Sequence, residues 1–310
     1  MSHRKAAVET FELTRDFNGL RAVNKLNLQI EQGELFALLG PNGAGKTTTI
    51  NLLCCLLRPT SGTAKVAGFD IRSQPREVKY HIGVSTQETV LSEKLNAWEN
   101  LALFGHIYGL SGKQVRQRSE QLLEQVGLLE RAKDQVKKYS GGMRRRLNIV
   151  TALIHDPEVL FLDEPTLGLD PQARRAIWEY ISDLKGRKTI LLTTHYMEEA
   201  DFLSDRVAII DRGRIVALGT PEELKSSFVQ AGVLKVAAKG LIGKVVEELR
   251  SKYRHVEENE FGVNIVQDKI DLKEVVDFLY SRGIEVVSAS REGPTLEDVF
   301  LHLTGKKLRE

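Results

Sequence analysis

Cysteine is scarce here: the 310-residue chain has two, Cys54 and Cys55, and they are neighbours. No disulfide framework can be built from that pair, which suits a reducing compartment. Both read as packing residues on a helix rather than as ligands or redox groups. Net charge is also scarce, since 44 Lys and Arg nearly balance 42 Asp and Glu, leaving +2. That surplus is too slight to draw nucleic acid or an anionic membrane, and no nucleic-acid partner is expected. No apolar run approaches the length of a membrane span. The opening residues Met1–Val8 lack the apolar core of a signal peptide. The expectation is a soluble, cytoplasmic chain whose membrane role, if it has one, comes through a partner. The seven histidines show no metal-ligand spacing, so no zinc or other transition metal is expected. No internal repeat or low-complexity segment appears. What remains is ordinary globular composition, 42% apolar and 28% charged, in a chain long enough for one large domain and a small one.

The informative stretch is Gly40-Pro41-Asn42-Gly43-Ala44-Gly45-Lys46-Thr47, which fits the phosphate-binding pattern G-x-x-x-x-G-K-[ST]. Leu35–Leu39 before it reads as a strand buried on both faces, and Thr48–Leu57 after it reads as a helix. Glycines let the backbone turn its N–H groups toward one point, where the helix N-terminus adds partial positive charge. Lys46 would reach the β- and γ-phosphates, and the Thr47 hydroxyl would ligate Mg²⁺.

Further along, Glu9–Thr14 and Ala22–Ile30 read as strands split by the turn signal Asp16-Phe17-Asn18-Gly19. Short strands follow in residues 60–87, the last ending at Gln87. Residues 92–135 are helical in pattern, with Trp98, Leu101, Ala102 and Gly105 on one face and Leu122, Leu123 and Val126 on another. Ser140 is an N-cap, and Met143, Leu147, Val150 and Ile154 recur at helical spacing until Asp156-Pro157. Val159–Leu162 is an apolar strand closed by Asp163-Glu164. Asp170-Pro171 starts a helix through Leu184. Thr189–Thr194 is a third buried strand, ending at His195, and strands at Val207–Ile210 and Ile215–Leu218 follow. Beyond a composition shift near residue 225, the order strand 233–237, helix 241–253, strands 254–258 and 262–266, helix 272–281 and strand 284–289 suggests a ferredoxin-like plait. A last helix starts at Thr295, with Asp298 completing a capping box.

Buried strands that end in polar groups point to a parallel sheet with its site at the carboxyl ends. An acidic pair at such an end is costly unless it meets a cation. Asp163 would hold Mg²⁺ through water, and Glu164 would orient or deprotonate an attacking water. His195 is placed to donate to a γ-phosphate, although a lone histidine is more often structural.

With these landmarks in this order, residues 5–225 resemble the ATP-binding cassette family. The resemblance makes Gly40–Thr48 the Walker A loop, so that Thr48 joins the nucleotide contacts, and Val159–Glu164 the Walker B strand. It makes Ser140-Gly141-Gly142 the signature motif and Gln87 the Q-loop glutamine, contacting nucleotide and metal. Gly168-Leu169-Asp170 looks like the D-loop, His195 the switch histidine, and Phe17 the aromatic that stacks on adenine. Tyr139 and Met143 depart from the commonest signature, which has leucine and glutamine there. Met143-Arg144-Arg145-Arg146 and the ending Thr295–Gly305 are similar to the subfamily that drives drug and antibiotic export. Without the resemblance, Asp170 reads as a helix cap, Gln87 as an exposed glutamine and Arg144–Arg146 as a solvated helix face.

The implied fold is an α/β P-loop nucleotide-binding domain over residues 1–225. It has a parallel-sheet core, an antiparallel β subdomain and a helical subdomain, followed by a small α+β domain over 226–310. The implied function is an ATPase with ATP and Mg²⁺ as cofactors. It would pair with a second ATP-binding subunit, a homodimer by expectation, and power a separate transmembrane permease from the cytoplasmic face of the membrane. The rival is a soluble cassette ATPase acting on ribosomes or nucleic acid. One set of motifs, and no sustained heptads between Thr47 and Ser140, argue against it. An import ATPase is disfavoured by the βαββαβ pattern, and a degenerate cassette by intact Lys46, Glu164 and His195.

Overall fold

The computed structural model describes residues 5–227, 232–240, 243–253, 255–259, 261–267 and 271–304. Sequence readings that touch residues 1–4, 241–242, 254 and Gly305 lie outside them. The chain divides into two compact units between Thr220 and Pro221. Among the described residues no helix is long and apolar enough to cross a membrane.

The first unit opens with β1 (Ala6–Phe17) and β2 (Leu20–Glu31). They are joined by Asn18-Gly19, both at positive φ, the twist that a two-residue hairpin needs. β1 therefore runs through Asp16 and Phe17, which sequence had placed in the turn. Next come β3 (Leu35–Leu39), α1 (Lys46–Leu53), β4 (Ser61–Val66), β5 (Phe69–Asp70), α2 (Pro75–His81) and β6 (Ile82–Ser85). Helices α3 (Ala97–Ile107), α4 (Gly112–Gln125) and α5 (Gly141–Ala152) follow. Then β7 (Val159–Asp163), α6 (Pro171–Leu184), β8 (Thr189–Thr194), α7 (Met197–Leu203), β9 (Arg206–Asp211) and β10 (Arg214–Gly219) complete the unit.

Two sheets result. One is antiparallel in the order β2-β1-β4-β5. The other has the order β10-β9-β3-β8-β7-β6, parallel except for β10. Every residue of β3, β7 and β8 is buried, as expected for strands covered on both faces. β2 instead alternates, burying Leu26, Leu28 and Ile30 with exposed residues between. Helix α1 packs against strands of both sheets, and its Leu52 and Leu53 are fully buried in their shared core. Each such side chain contributes roughly 1.5–3 kcal/mol. The helix ends at Leu53, four residues short of the sequence reading, because Cys55 turns left-handed at φ 56 and the Leu56 and Leu57 amides close back on Asn51 O. A left-handed non-glycine leaves no mark in apolar periodicity. Cys54 is thus a buried cap and Cys55 a packing residue beyond the helix.

Asn96 and Ser111 start α3 and α4 with capping boxes. Trp98 and Ala102 are only half-buried; the covered face of α3 is Ala97, Asn100, Leu101 and Gly105. His155 lies flat on Tyr108, ring centroids 3.5 Å apart, and burial holds its pKa down to about 4. It is a neutral core histidine.

The second unit holds α8 (Pro221–Ser227), β11 (Gly232–Lys239), α9 (Gly243–Lys252), β12 (His255–Asn259), β13 (Gly262–Gln267), α10 (Leu272–Ser281), β14 (Glu285–Glu292) and α11 (Leu296–Thr304). Its sheet is antiparallel in the order β12-β13-β11-β14. That is the interleaved order of the ferredoxin-like plait. Thr295 and Asp298 form the capping box of α11.

Gly83 on β6 is where α5 comes closest. A Cβ there would lie 2.1 Å from Ala152 O and 2.9 Å from Pro157 Cγ. Gly83→Ala is expected to destabilise the first unit by about 1–3 kcal/mol, the usual cost of overpacking. Gly112→Ala, where nothing lies within 4 Å, should leave stability unchanged or slightly higher. Urea unfolding of the two variants side by side measures the difference.

Candidate functional site

The phosphate loop leaves the carboxyl end of β3 and runs into α1, as its pattern requires. Gly40 has no room for a side chain, since a Cβ would sit 2.4 Å from Ile210 O. Gly45 adopts φ +105 with Ala22 O 2.3 Å from a hypothetical Cβ. Both glycines are therefore required by the backbone's path. Helix α1 has no side-chain cap and no acidic residue in its first turn. Amides in a first turn have no acceptor within their own helix. Gly43 faces open space at φ +80. A curled, uncapped, cation-bearing N-terminus fits a phosphate chain.

Lys46 is buried, and its Nζ donates to Gly40 O at 2.7 Å and Pro41 O at 3.3 Å. The same Nζ lies 3.0 Å from Glu164 Oε1, and the other oxygen of Glu164 lies 2.8 Å from His195 Nδ1. Burial alone would raise the Glu164 pKa, but the His195 hydrogen bond and the Lys46 charge outweigh it and hold this carboxyl below its ordinary range. With Glu164 ionised, His195 Nδ1 carries the proton and donates. Asp163 Oδ1 accepts from Thr47 Oγ1 at 3.2 Å and from Thr193 Oγ1 at 2.5 Å. A hydroxyl and a carboxylate so close together are the hard oxygen donors that suit Mg²⁺. β3, β7 and β8 thus bring Lys46, Thr47, Asp163, Glu164 and His195 together by direct contact.

Other predicted residues stand apart from that cluster. Phe17 ends β1 with one face covered by the Arg15 guanidinium, 4.4 Å from the ring centroid. Among the described residues the exposed Gln87 side chain makes no hydrogen bond, while its carbonyl is held from α5. Pro41 and Thr48 are half-buried, Asn42 is exposed and Ala44 is buried along the loop. Ser140 caps α5, accepting from the Met143 amide at 3.3 Å, and is exposed along with Gly141. Gly142 lets α5 approach α6, because a Cβ there would lie 3.0 Å from Ala173 Cβ. Asp170 caps α6 by accepting from the Ala173 amide at 2.9 Å. Tyr139, which replaces the commoner leucine, is buried and satisfied, its hydroxyl donating to Arg131 O at 2.9 Å.

The Arg144–Arg146 run is not a solvated face. Arg145 is only 5% exposed, and Arg146 donates to Val126 O at 2.8 Å. The available signal was the spacing Arg145, Asn148, Ala152, a second buried stripe on α5. Asn148 on that stripe donates to Ser85 Oγ at 2.9 Å. Sequence reasoning also missed Glu199, fully buried on α7, which accepts from Thr166 Oγ1 at 2.7 Å and Trp178 Nε1 at 2.9 Å. Burial raises its pKa. Nothing in local sequence links a turn residue to residues on two different helices.

A parallel sheet with a phosphate loop, an acidic strand end and a facing histidine defines the P-loop nucleotide hydrolases. Within that class, residues 23–167 match the family described as ABC transporter, and residues 219–304 match the C-terminal domain described as ATP-binding protein DrrA1-3-like. The daunorubicin resistance ATP-binding protein DrrA2 of Streptomyces coeruleorubidus is 41% identical over 97% of this chain and 96% of its own. The linearmycin resistance ATP-binding protein LnrL of Bacillus subtilis (strain 168) is 40% identical over 93% and 95%. The Nod factor export ATP-binding protein I of Cupriavidus metallidurans is 40% identical over 93% and 94%. Among solved structures, an ATP-binding subunit of an ABC transporter aligns with TM-score 0.65 and 31% identity over 72% of this chain and 93% of its own. The chain belongs to the ABC transporter family of ATP-binding proteins. It is an ATPase, binding and hydrolysing ATP to drive transport.

The depressed Glu164 pKa has a stability consequence. A carboxylate whose folded pKa lies below its unfolded value stabilises the fold above the unfolded pKa, and that contribution fades as pH falls through the folded one. Wild type is expected to exceed Glu164→Gln in stability at pH 7, and the gap should close as pH drops below about 4. Urea midpoints of both proteins across that range check the sign.

Proposed function

We propose that this chain is the ATP-hydrolysing subunit of an exporter, working as a pair of cassettes beneath a separate membrane permease. The observation that carries the catalytic part is the contact chain Lys46–Glu164–His195 at the end of the phosphate loop. Lys46 and the amides of α1 would bind the β- and γ-phosphates. Thr47 and Asp163 would hold Mg²⁺, whose charge would neutralise the phosphate oxygens. Glu164 stays ionised and so can accept a hydrogen bond from the attacking water. His195 is turned toward that same carboxylate, which fits a group that positions Glu164 and donates toward the γ-phosphate.

The loop covers one side of a triphosphate only. The exposed N-terminus of α5, with Ser140 and the Gly141 and Gly142 amides, has the chemistry to cover the other side on a second copy. A dimeric ATP-binding cassette solved in a post-hydrolysis state bound to ADP and Pi aligns with TM-score 0.62 and 27% identity, over 69% of this chain and 98% of its own, which supports the paired reading. Export is supported by the drug-resistance and Nod-factor-export names of relatives that span nearly the whole chain.

Glu164→Gln is expected to bind Mg-ATP, turn over at least ~10²-fold more slowly, and accumulate as an ATP-bound dimer on gel filtration. Near wild-type turnover would move the catalytic role elsewhere, and a monomer with bound Mg-ATP would argue against the paired site. In lipid vesicles, the purified chain alone should hydrolyse ATP without moving solute. Adding its membrane protein should make the ATPase respond to the exported compound. Co-purification with ribosomes or DNA in place of a membrane protein would instead favour a soluble factor.

A further inference from the structure

Arg145 is a buried cation that makes no salt bridge among the described residues, although the charges of Asp163, Glu199 and Glu164 act on it. Each of its five N–H groups donates to a backbone carbonyl. Nε donates to Pro165 O at 2.7 Å, Nη1 to Thr86 O at 2.8 Å and Gln87 O at 2.9 Å, and Nη2 to Asp163 O at 3.2 Å and to Glu164 O. Those acceptors belong to two separate segments: the loop after β6 that carries Gln87, and the end of β7 with the turn that follows it, Asp163 to Pro165. A planar guanidinium with five donors in a fixed fork saturates both at once. A lysine, with three donors on one atom, cannot.

Glu164 needs such a clamp. It sits at φ 49, the left-handed region that costs a non-glycine residue energy and persists only where the surroundings over-determine it. Its amide is held by Thr193 O and Thr193 Oγ1, at 3.2 and 3.1 Å. Its carbonyl is held by Arg145. The side chain's aim toward Lys46 and His195 follows from this strained backbone, because rotating the peptide would swing the carboxylate away.

We propose that Arg145 is a positioning residue for hydrolysis: by clamping the carbonyls of Thr86–Gln87 and Asp163–Pro165 it fixes the backbone conformation that aims the Glu164 carboxylate. Among the described residues its hydrogen bonds reach neither the phosphate loop nor Lys46, and on the Gln87 loop they hold backbone rather than the Gln87 side chain. Its loss is therefore expected to act more on turnover than on nucleotide binding. The same clamp ties the Gln87 loop and the catalytic turn to α5, the helix that begins at Ser140. The inference rests on the assignment of Glu164 to the hydrolytic step, so its test carries a separate arm for that assignment.

The test is a double-mutant cycle on the full chain: wild type, Arg145→Lys, Glu164→Gln and the double variant, with kcat and KM for Mg-ATP and a thermal melt for each. Arg145→Lys is expected to lower kcat about tenfold, the scale of a small misplacement of a reacting group, with KM within about twofold. In the Glu164→Gln background the same change should cost less than about twofold, since a residue that acts through Glu164 has nothing left to aim. Equal losses in both backgrounds, or an unchanged kcat in Arg145→Lys, would overturn the proposal while leaving the Glu164 assignment standing. Wild-type turnover by Glu164→Gln would overturn both. If the melt shows that Arg145→Lys does not fold, Arg145→Gln runs through the same cycle with the same criteria.

Discussion

A carboxylate kept ionised inside the protein is the constraint on which the first unit depends. Glu164 is 5% exposed, and an unpaired charge at that depth would either cost several kcal/mol or pick up a proton. Lys46 and His195 prevent that from two sides. For them to do so, the helix that begins at Lys46 must meet the ends of β7 and β8. That requires α1 to lie against both sheets, and the two sheets to share one core. The glycines of the phosphate loop follow from the same demand, since only a chain without side chains passes so close to Ile210 and Ala22. Asp163 and Glu199 add further acid nearby. Arg145 answers with positive charge that is spread over carbonyls rather than spent on one partner.

The residues legible from sequence were those whose chemistry is encoded in local spacing. A phosphate loop, a strand ending in two acids and a strand ending in histidine each span a few residues, and β-strand alternation or continuous burial locates them. Gly40–Thr47, Asp163, Glu164 and His195 fell out this way, as did the Ser140 and Asp170 caps. The βαββαβ order of the second unit was also legible, because turn residues and periodicity mark each element. What escaped has a common cause. Arg145 sits in a run of three arginines that looks solvated, and only the three-dimensional meeting of α5 with two loops buries it. Glu199 and Trp178 lie on two helices and Thr166 in the turn after β7, and they meet only in three dimensions. The early end of α1 at Leu53 is likewise set by the left-handed Cys55 rather than by apolar pattern.

Helix α5 gathers several of these roles along one short rod. Twelve residues at 1.5 Å each span about 18 Å. Ser140 stands at one end, Arg145 near the middle grips the catalytic turn, and the Ala152 carbonyl presses on Gly83 at the other. A helix fixed at its middle and its far end behaves as a stiff body. Displacement of its exposed tip is therefore resisted by the backbone of the catalytic turn rather than absorbed by bending.

The left-handed backbone of Glu164 has an evolutionary consequence. Glycine, asparagine and aspartate adopt that conformation more cheaply than glutamate does, so backbone and side chain pull in opposite directions at this position. A copy of this gene released from the need to hydrolyse ATP would relieve the backbone by taking glycine or asparagine there, and would strand the buried Lys46 ammonium in doing so. Drift at this one codon is thus held back by its partner, and an idle descendant would be expected to change the two positions together.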